Sequence, residues 1–201
     1  DEFYKILTRT ALGQGVEIKW TKDNKLNFGD SDWYFICDGK TSYYTIAGPM
    51  RLGAIIAGAK PQELKIITKF GLNLGRCFQL VDDILDITSD FKGLKKQIGN
   101  DIYEGKRTVM LGHLLRKAKP EDRKKIIKIL SKGRDAKTRV EVGWIIKKMQ
   151  TYKSIGYAQN LAKKFGDNAR KIFENEMKFF KKQPYRNYLS EIITFILERE
   201  Y

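Results

Sequence analysis

Phe78-Gln79-Leu80-Val81-Asp82-Asp83-Ile84-Leu85-Asp86 is the stretch on which the reading of this chain turns. It closes a longer segment that opens at Pro61, and proline suits the first turn of a helix because the N–H it lacks has no partner there. At about 100° of rotation per residue, Phe70, Leu74, Cys77, Phe78, Val81 and Leu85 gather into one apolar stripe. The spacing predicts a helix from Pro61 to about Thr88 with that stripe against a core. The same rotation lays Gly71, Gly75, Gln79, Asp82 and Asp86 along the next face. Two carboxylates then stack one turn apart beside positions without side chains, which reads as a polar groove. A lone pair of acids at this spacing is most simply a solvated face. Here Val81, Ile84 and Leu85 are interleaved with the acids, and partly buried carboxylates need a partner. Hard cations such as Mg²⁺ take oxygen ligands and bridge one or two carboxylates to phosphates.

Outward from this helix, apolar residues recur at three and four in nearly every segment, with Gly, Pro and Asp clusters between. That pattern predicts an all-α fold, with residues 1–201 as a single helical domain. The first helix should run from the start to about Trp20, followed by a polar turn through Asn24, Gly29 and Asp30. A second helical region covers about Asp32 to Ala59, with a kink expected at Gly48-Pro49. Ser89 to Gly99 reads as a Lys- and Gly-rich loop, and the next helix starts at either Asp101 or Thr108 and ends near Lys117. Pro120, Gly133 and Pro184 punctuate the rest. The most apolar stretch, Tyr43 to Ala59, carries Pro49 and Arg51 and falls short of the roughly 20 apolar residues of a membrane-spanning helix. It reads as a core helix, and no membrane span is expected.

The chain has 39 Lys and Arg against 24 Asp and Glu, a formal charge of +15, spread along its length. Such a field is compatible with nucleic acid, a membrane surface, an acidic partner or a small polyanion, and lysine-rich surfaces also occur in heat-adapted proteins. Charge alone does not choose among these. Cys37 and Cys77 form no CxxC pair, and His113 is the single histidine, so a zinc cluster is excluded. Both thiols read as small buried apolar groups of a reducing compartment. No basic, apolar leader opens the sequence, and a cytoplasmic location is expected.

The motif Phe78-Gln79-x-x-Asp82-Asp83-x-x-Asp86 resembles the second aspartate-rich motif of the trans-isoprenyl diphosphate synthase, or polyprenyl synthetase, family. Further resemblances follow in the family's order. Gly13-Gln14 with Glu17 resembles its Gly-Gln-x-x-acid element, and Lys40-Thr41 its Lys-Thr pair. Lys96, Gly99, Asp101, Gly105-Lys106 and Thr108 resemble the stretch that closes its diphosphate site. Glu17 replaces the more usual aspartate, which leaves its role open, and Lys95 stands where a glycine usually precedes the lysine. The resemblance extends over essentially the whole chain to Arg199.

The resemblance implies the C-terminal half of an isoprenoid synthase helical bundle, of the geranylgeranyl or farnesyl diphosphate synthase type. It implies Mg²⁺-dependent condensation of an allylic diphosphate with isopentenyl diphosphate. Asp82 and Asp86 would ligate the metal, with Asp83 the weaker candidate. Gln14, Lys40, Lys96 and Lys106 would bind the substrate diphosphate, and Thr41 and Gln79 would sit beside the reacting carbon. No protein nucleophile is required.

The family carries a first aspartate-rich motif as well, and no Asp-Asp pair precedes Asp82. The expectation is a second protein chain that supplies it, in an obligate heterodimer able to pair again into a dimer of heterodimers. A piece of a longer protein and a non-catalytic regulatory subunit are the competing accounts. A different class is a basic helical module gripping nucleic acid through Lys95, Lys96, Lys106 and Arg107. No helix-turn-helix pattern accompanies these residues, and Asp101 and Glu104 between them would repel phosphate, so nucleic acid is not the expected partner. Terpene cyclases share the fold but usually build their second metal site from Asn, Ser and Glu, so Asp82-Asp83-x-x-Asp86 argues for chain elongation.

Overall fold

The structure, a computed structural model, describes residues 1–88 and 98–199. Lys95 and Lys96 lie outside the described residues. The α-helices are α1 (Glu2–Lys22), α2 (Asp30–Cys37), α3 (Gly48–Ile56), α4 (Pro61–Thr88), α5 (Asn100–Glu104), α6 (Val109–Lys117), α7 (Pro120–Leu130), α8 (Arg139–Thr151), α9 (Ser154–Asn175) and α10 (Tyr185–Glu198). No strand occurs among the described residues, and the fold is all-α as expected. No described helix is long and apolar enough to cross a membrane.

Helix α4 is the centre of the bundle, packed most extensively on α9 and on the segment between α2 and α3. Its buried residues are Ile67, Phe70, Leu74, Cys77, Leu80, Ile84 and Ile87, together with Gly71, Gly75 and Asp83. The arc is wider than the predicted stripe because partners press from two sides. Phe78, Val81 and Leu85, expected in the stripe, are only half-buried. On one side, Ala158, Ala162, Gly166 and Ala169 keep the buried face of α9 low, so the two long helices approach closely. Cys37 and Cys77 are free, buried thiols, and burial pushes Cys77 up to about 12.

On the other side lies Asp38–Ala47, wound as a π-helix continuous with α2 and α3. The irregularity therefore precedes Gly48-Pro49, and Pro49 sits in the first turn of α3 without ending the helix. Such winding is normally a single-turn feature, often at a functional site. Gly71 and Gly75 face this segment. A Cβ on Gly75 would lie 2.4 Å from Ser42 Cα, and one on Gly71 would lie 2.6 Å from Ala47 Cα. The expected groove along α4 is thus filled at these glycines by backbone.

The next predicted helix divides in two. Gly105, with φ of 72°, ends α5, and Thr108 opens α6 by accepting the Leu111 N–H at 3.2 Å. A left-handed residue at this point favours glycine because it has no Cβ to clash.

An ion pair fastens α1 to α3 and α4. Arg51 donates from Nε at 2.7 Å and Nη2 at 2.8 Å to the two carboxylate oxygens of Glu2, and from Nη1 at 3.0 Å to Thr68 Oγ1. Tyr43 adds a hydrogen bond to Glu2 at 2.5 Å. The Arg51 contact, against the cost of burial, holds the Glu2 carboxyl down at about 2. A depressed native value stabilises the fold above the unfolded value of 4.5 and loses that contribution as pH falls toward 2. Glu2→Gln should therefore cost about 2 kcal/mol at neutral pH, where the unpaired arginine is left partly buried. The gap between wild type and variant, measured by urea denaturation, should close between pH 4.5 and pH 2.

Candidate active site

Gly13 admits the π segment to α1: a Cβ there would lie 2.7 Å from Lys40 N. That approach puts Glu17, one turn further along α1, against Lys40, whose Nζ donates to Glu17 Oε2. From the adjacent residue, Thr41 Oγ1 donates to Gln79 Oε1 at 2.9 Å. Gln79 Nε2 donates onward to Asp83 Oδ1 at 2.8 Å. Lys106 Nζ donates to the same oxygen at 2.8 Å and to Asp101 Oδ2 at 2.9 Å. The Asp101 N–H in turn donates to Asp86 Oδ2 at 3.0 Å. A single hydrogen-bonded network thus joins the π segment, α4 and α5.

An open cleft of about 440 Å³ lies over this network, with Gln14, Glu17, Lys40, Asp101 and Lys106 on its walls. A small cavity beneath it, about 20 Å³, is bordered by Thr41, Gln79 and Arg107. A larger cleft of about 720 Å³, lined by Val81, Leu85 and residues of α9 and α10, uses another face of α4 and none of the network.

The acids divide by exposure. Asp83 is only 2% exposed, whereas Asp82 and Asp86 remain partly open to solvent. Burial, reinforced by Asp101, raises Asp86 to about 6. Asp101 is raised as well, by burial, against the pull of Lys106. Burial alone would discharge Lys106, but Asp83 and Asp101 outweigh it and hold the ammonium well above its ordinary value. Asp83 and Asp101 thus share one described ammonium, and among the described residues the second oxygen of Asp83 is buried with no hydrogen-bond partner. This donor set suits a cation. Among the described residues no three His, Cys, Asp or Glu side chains converge to enclose a metal. An ion such as Mg²⁺, which takes one or two carboxylates and completes its shell with phosphate and water, needs no such cage.

The structure therefore brings together Gln14, Lys40, Thr41, Gln79, Asp83, Asp86 and Lys106, with Asp82 on the same helix. Lys96 lies outside the described residues. Lys106 is already engaged twice, and Asp83 faces inward as its anchor. Sequence reasoning did not single out Arg107 for this site. It is 3% exposed, and an Arg in a polar, glycine-flanked stretch gave no periodic signal of burial. Its burial, and the pairing of Lys106 with Asp83 and Asp101, also take up two of the cations that a nucleic-acid surface would have used.

Fold and site define a helical protein whose acids and lysines converge on one open cleft. The chain belongs to the polyprenyl synthetase family, which it matches over residues 1–149. It is 33% identical over 171 residues to the geranylgeranyl diphosphate synthase of Sulfolobus acidocaldarius, covering 83% of this chain and 50% of that protein. Over 201 residues it is 33% identical to the short chain isoprenyl diphosphate synthase of Methanothermobacter thermautotrophicus, covering 100% of this chain and 57% of the relative. Among solved structures, it superposes with a TM-score of 0.86 at 26% identity on a geranylgeranyl pyrophosphate synthase of Corynebacterium glutamicum complexed with isoprenyl diphosphate and magnesium. That match covers 100% of this chain and 55% of the other. The chain spans about half the length of the relatives it matches.

Proposed function

We propose that the chain carries the second aspartate-rich part of an isoprenyl diphosphate synthase and takes part in condensing an allylic diphosphate with isopentenyl diphosphate. The observation that carries this reading is the hydrogen-bonded network that joins Thr41 of the π segment, Gln79 and Asp83 of α4, and Lys106, under a cleft walled by Gln14, Lys40 and Lys106. The Corynebacterium relative, complexed with isoprenyl diphosphate and magnesium, supports it. In this reading Asp82 and Asp86 would hold Mg²⁺, and Asp83 holds Lys106. Bound there, magnesium supplies neutralisation of negative charge on the leaving group.

Gln14, Lys40, Lys96 and Lys106 bind and orient diphosphate oxygens. Lysine suits that task as a compact point charge. Thr41 and Gln79 present oxygens beside the allylic carbon as its bond to oxygen breaks and cationic character develops. The double bond of isopentenyl diphosphate forms the new carbon–carbon bond, and the proton lost afterwards passes to the departing diphosphate. The first aspartate-rich motif comes from polypeptide outside these residues, in our reading a second chain within a cytoplasmic heterodimer that pairs again.

The first test is calorimetry with inorganic diphosphate and Mg²⁺ on the chain together with whatever polypeptide co-purifies. Asp82→Ala should weaken Mg²⁺-dependent diphosphate binding at least about tenfold, the scale of losing one charge-assisted contact. Wild-type protein that binds no diphosphate, and incorporates no labelled isopentenyl diphosphate into a longer chain, would exclude the reading.

A further inference from the structure

Beside the cleft lies a buried cation that has no part in this chemistry. Arg107 follows Lys106 in the non-helical link between α5 and α6, and among the described residues its guanidinium donates only to neutral oxygens. These are Lys25 O at 2.6 Å, Asn24 Oδ1 at 2.9 Å, Trp20 O at 3.4 Å and the carbonyl of Gly105. An arginine in this position is costly, since a buried charge without a counter-ion gains less than an apolar side chain of similar volume would. Burial accordingly lowers it to about 10. Packing therefore does not account for the residue type.

The bonds do account for it. Trp20 lies in the last turn of α1, whose carbonyls carry the negative end of the helix dipole. Asn24, at φ of 46°, and Lys25 form the turn that follows. Arg107 thus clamps the end of one cleft wall, α1 with Gln14 and Glu17, to the backbone that carries Lys106. That backbone has few other ties: Lys106 N–H reaches Asp101 O at 2.9 Å and the Thr21 hydroxyl reaches Gly105 O at a long 3.5 Å, in a link between the left-handed Gly105 and the cap at Thr108. Lysine has a flexible stem, so where its ammonium sits depends on where its backbone is held.

We propose that Arg107 is a positioning residue for the diphosphate site, locking the Lys106 segment to the C-terminal end of α1 so that the ammonium is held at the cleft. This rests on the reading of the cleft as a diphosphate site. Arg107 touches neither substrate nor metal in this account.

The test titrates inorganic diphosphate with Mg²⁺ into the full chain with its co-purifying polypeptide, using variants checked for folding by circular dichroism. Arg107→Met should weaken binding about tenfold, as loss of a supporting partner typically does. It should add almost nothing once Lys106→Met is present, because a residue acting through another is non-additive with it. Asn24→Gly keeps the left-handed turn while removing one acceptor of Arg107, and should weaken binding in the same direction. Additive losses in the double variant, or unchanged affinity in Arg107→Met, would overturn the proposal. Where Arg107→Met or Lys106→Met does not fold, Asn24→Gly decides, and unchanged affinity there overturns it. Wild-type protein that fails to bind diphosphate removes the reading of the cleft and this proposal with it, an outcome distinct from intact wild-type binding with additive variants.

Discussion

Lys106→Met is expected to lower the stability of the chain by about 3–5 kcal/mol, the cost of breaking a buried ion pair by removing one partner. The ammonium bridges Asp83, which is 2% exposed on its side chain, and Asp101, which is 15% exposed. Without it, among the described residues Asp83 keeps only the Gln79 amide on one oxygen, and its other oxygen already has no hydrogen-bond partner there. The remaining charge would sit in a poorly solvating interior, and the network from Thr41 to Asp86 would be cut at its centre. Urea denaturation at neutral pH measures the loss. Adding Asp83→Asn should recover part of it, because the neutral amide removes the stranded charge while preserving shape. A Lys106→Met variant as stable as wild type would show that the pairing contributes nothing net. Diphosphate binding in that variant should fall as well, which separates this site from a purely structural salt bridge on the surface.

Gly75→Ala is expected to cost about 3 kcal/mol, at the upper end for overpacking a filled interior. The added Cβ would lie 2.4 Å from Ser42 Cα and 2.5 Å from Ser42 Cβ, and the first of these is backbone that cannot rotate away. The π segment would have to move off α4, and Thr41, the residue before Ser42, would lose its 2.9 Å hydrogen bond to Gln79. Ser42→Gly in the same chain should return only part of the stability, since the added methyl would still press on the backbone at that position. Gly53→Ala is the control: nothing lies within 4 Å of its Cβ, and in α3 alanine should be neutral or stabilising by up to about 1 kcal/mol. Equal thermal shifts for the two alanines would refute the close-approach account.

Much of this protein was legible without coordinates. The 3.6-residue period marked α4 from Pro61 to Thr88, because a helix with a buried side must repeat apolar residues at three and four. Proline and glycine marked many of the breaks for equally local reasons. The family, too, was carried by short motifs in order. Less legible was the division of labour among the acids. Periodicity gives the angle of each residue about its own helix axis but says nothing about which arc a neighbour will cover. The second partner of α4, the π segment, widened the buried arc and turned Gly71 and Gly75 from groove into contact, while Asp83 lies inside, paired with Lys106.

The same limit governs the basic residues. Lys106 and Arg107 are adjacent in the chain, and in the sequence both offer a cation to an anionic ligand, Lys106 to the diphosphate and both to the rival nucleic-acid reading. Yet one is held between carboxylates from α4 and α5, and the other among carbonyls at the end of α1. Most of the helices, the chemistry available to them and the family to which they belong follow from the amino-acid order, since those depend on local periodicity and on motifs a few residues long. Tertiary structure alone decided which charges are paired, which face the cleft and where the backbone approaches too closely for a side chain, because each depends on contacts between segments far apart in the chain.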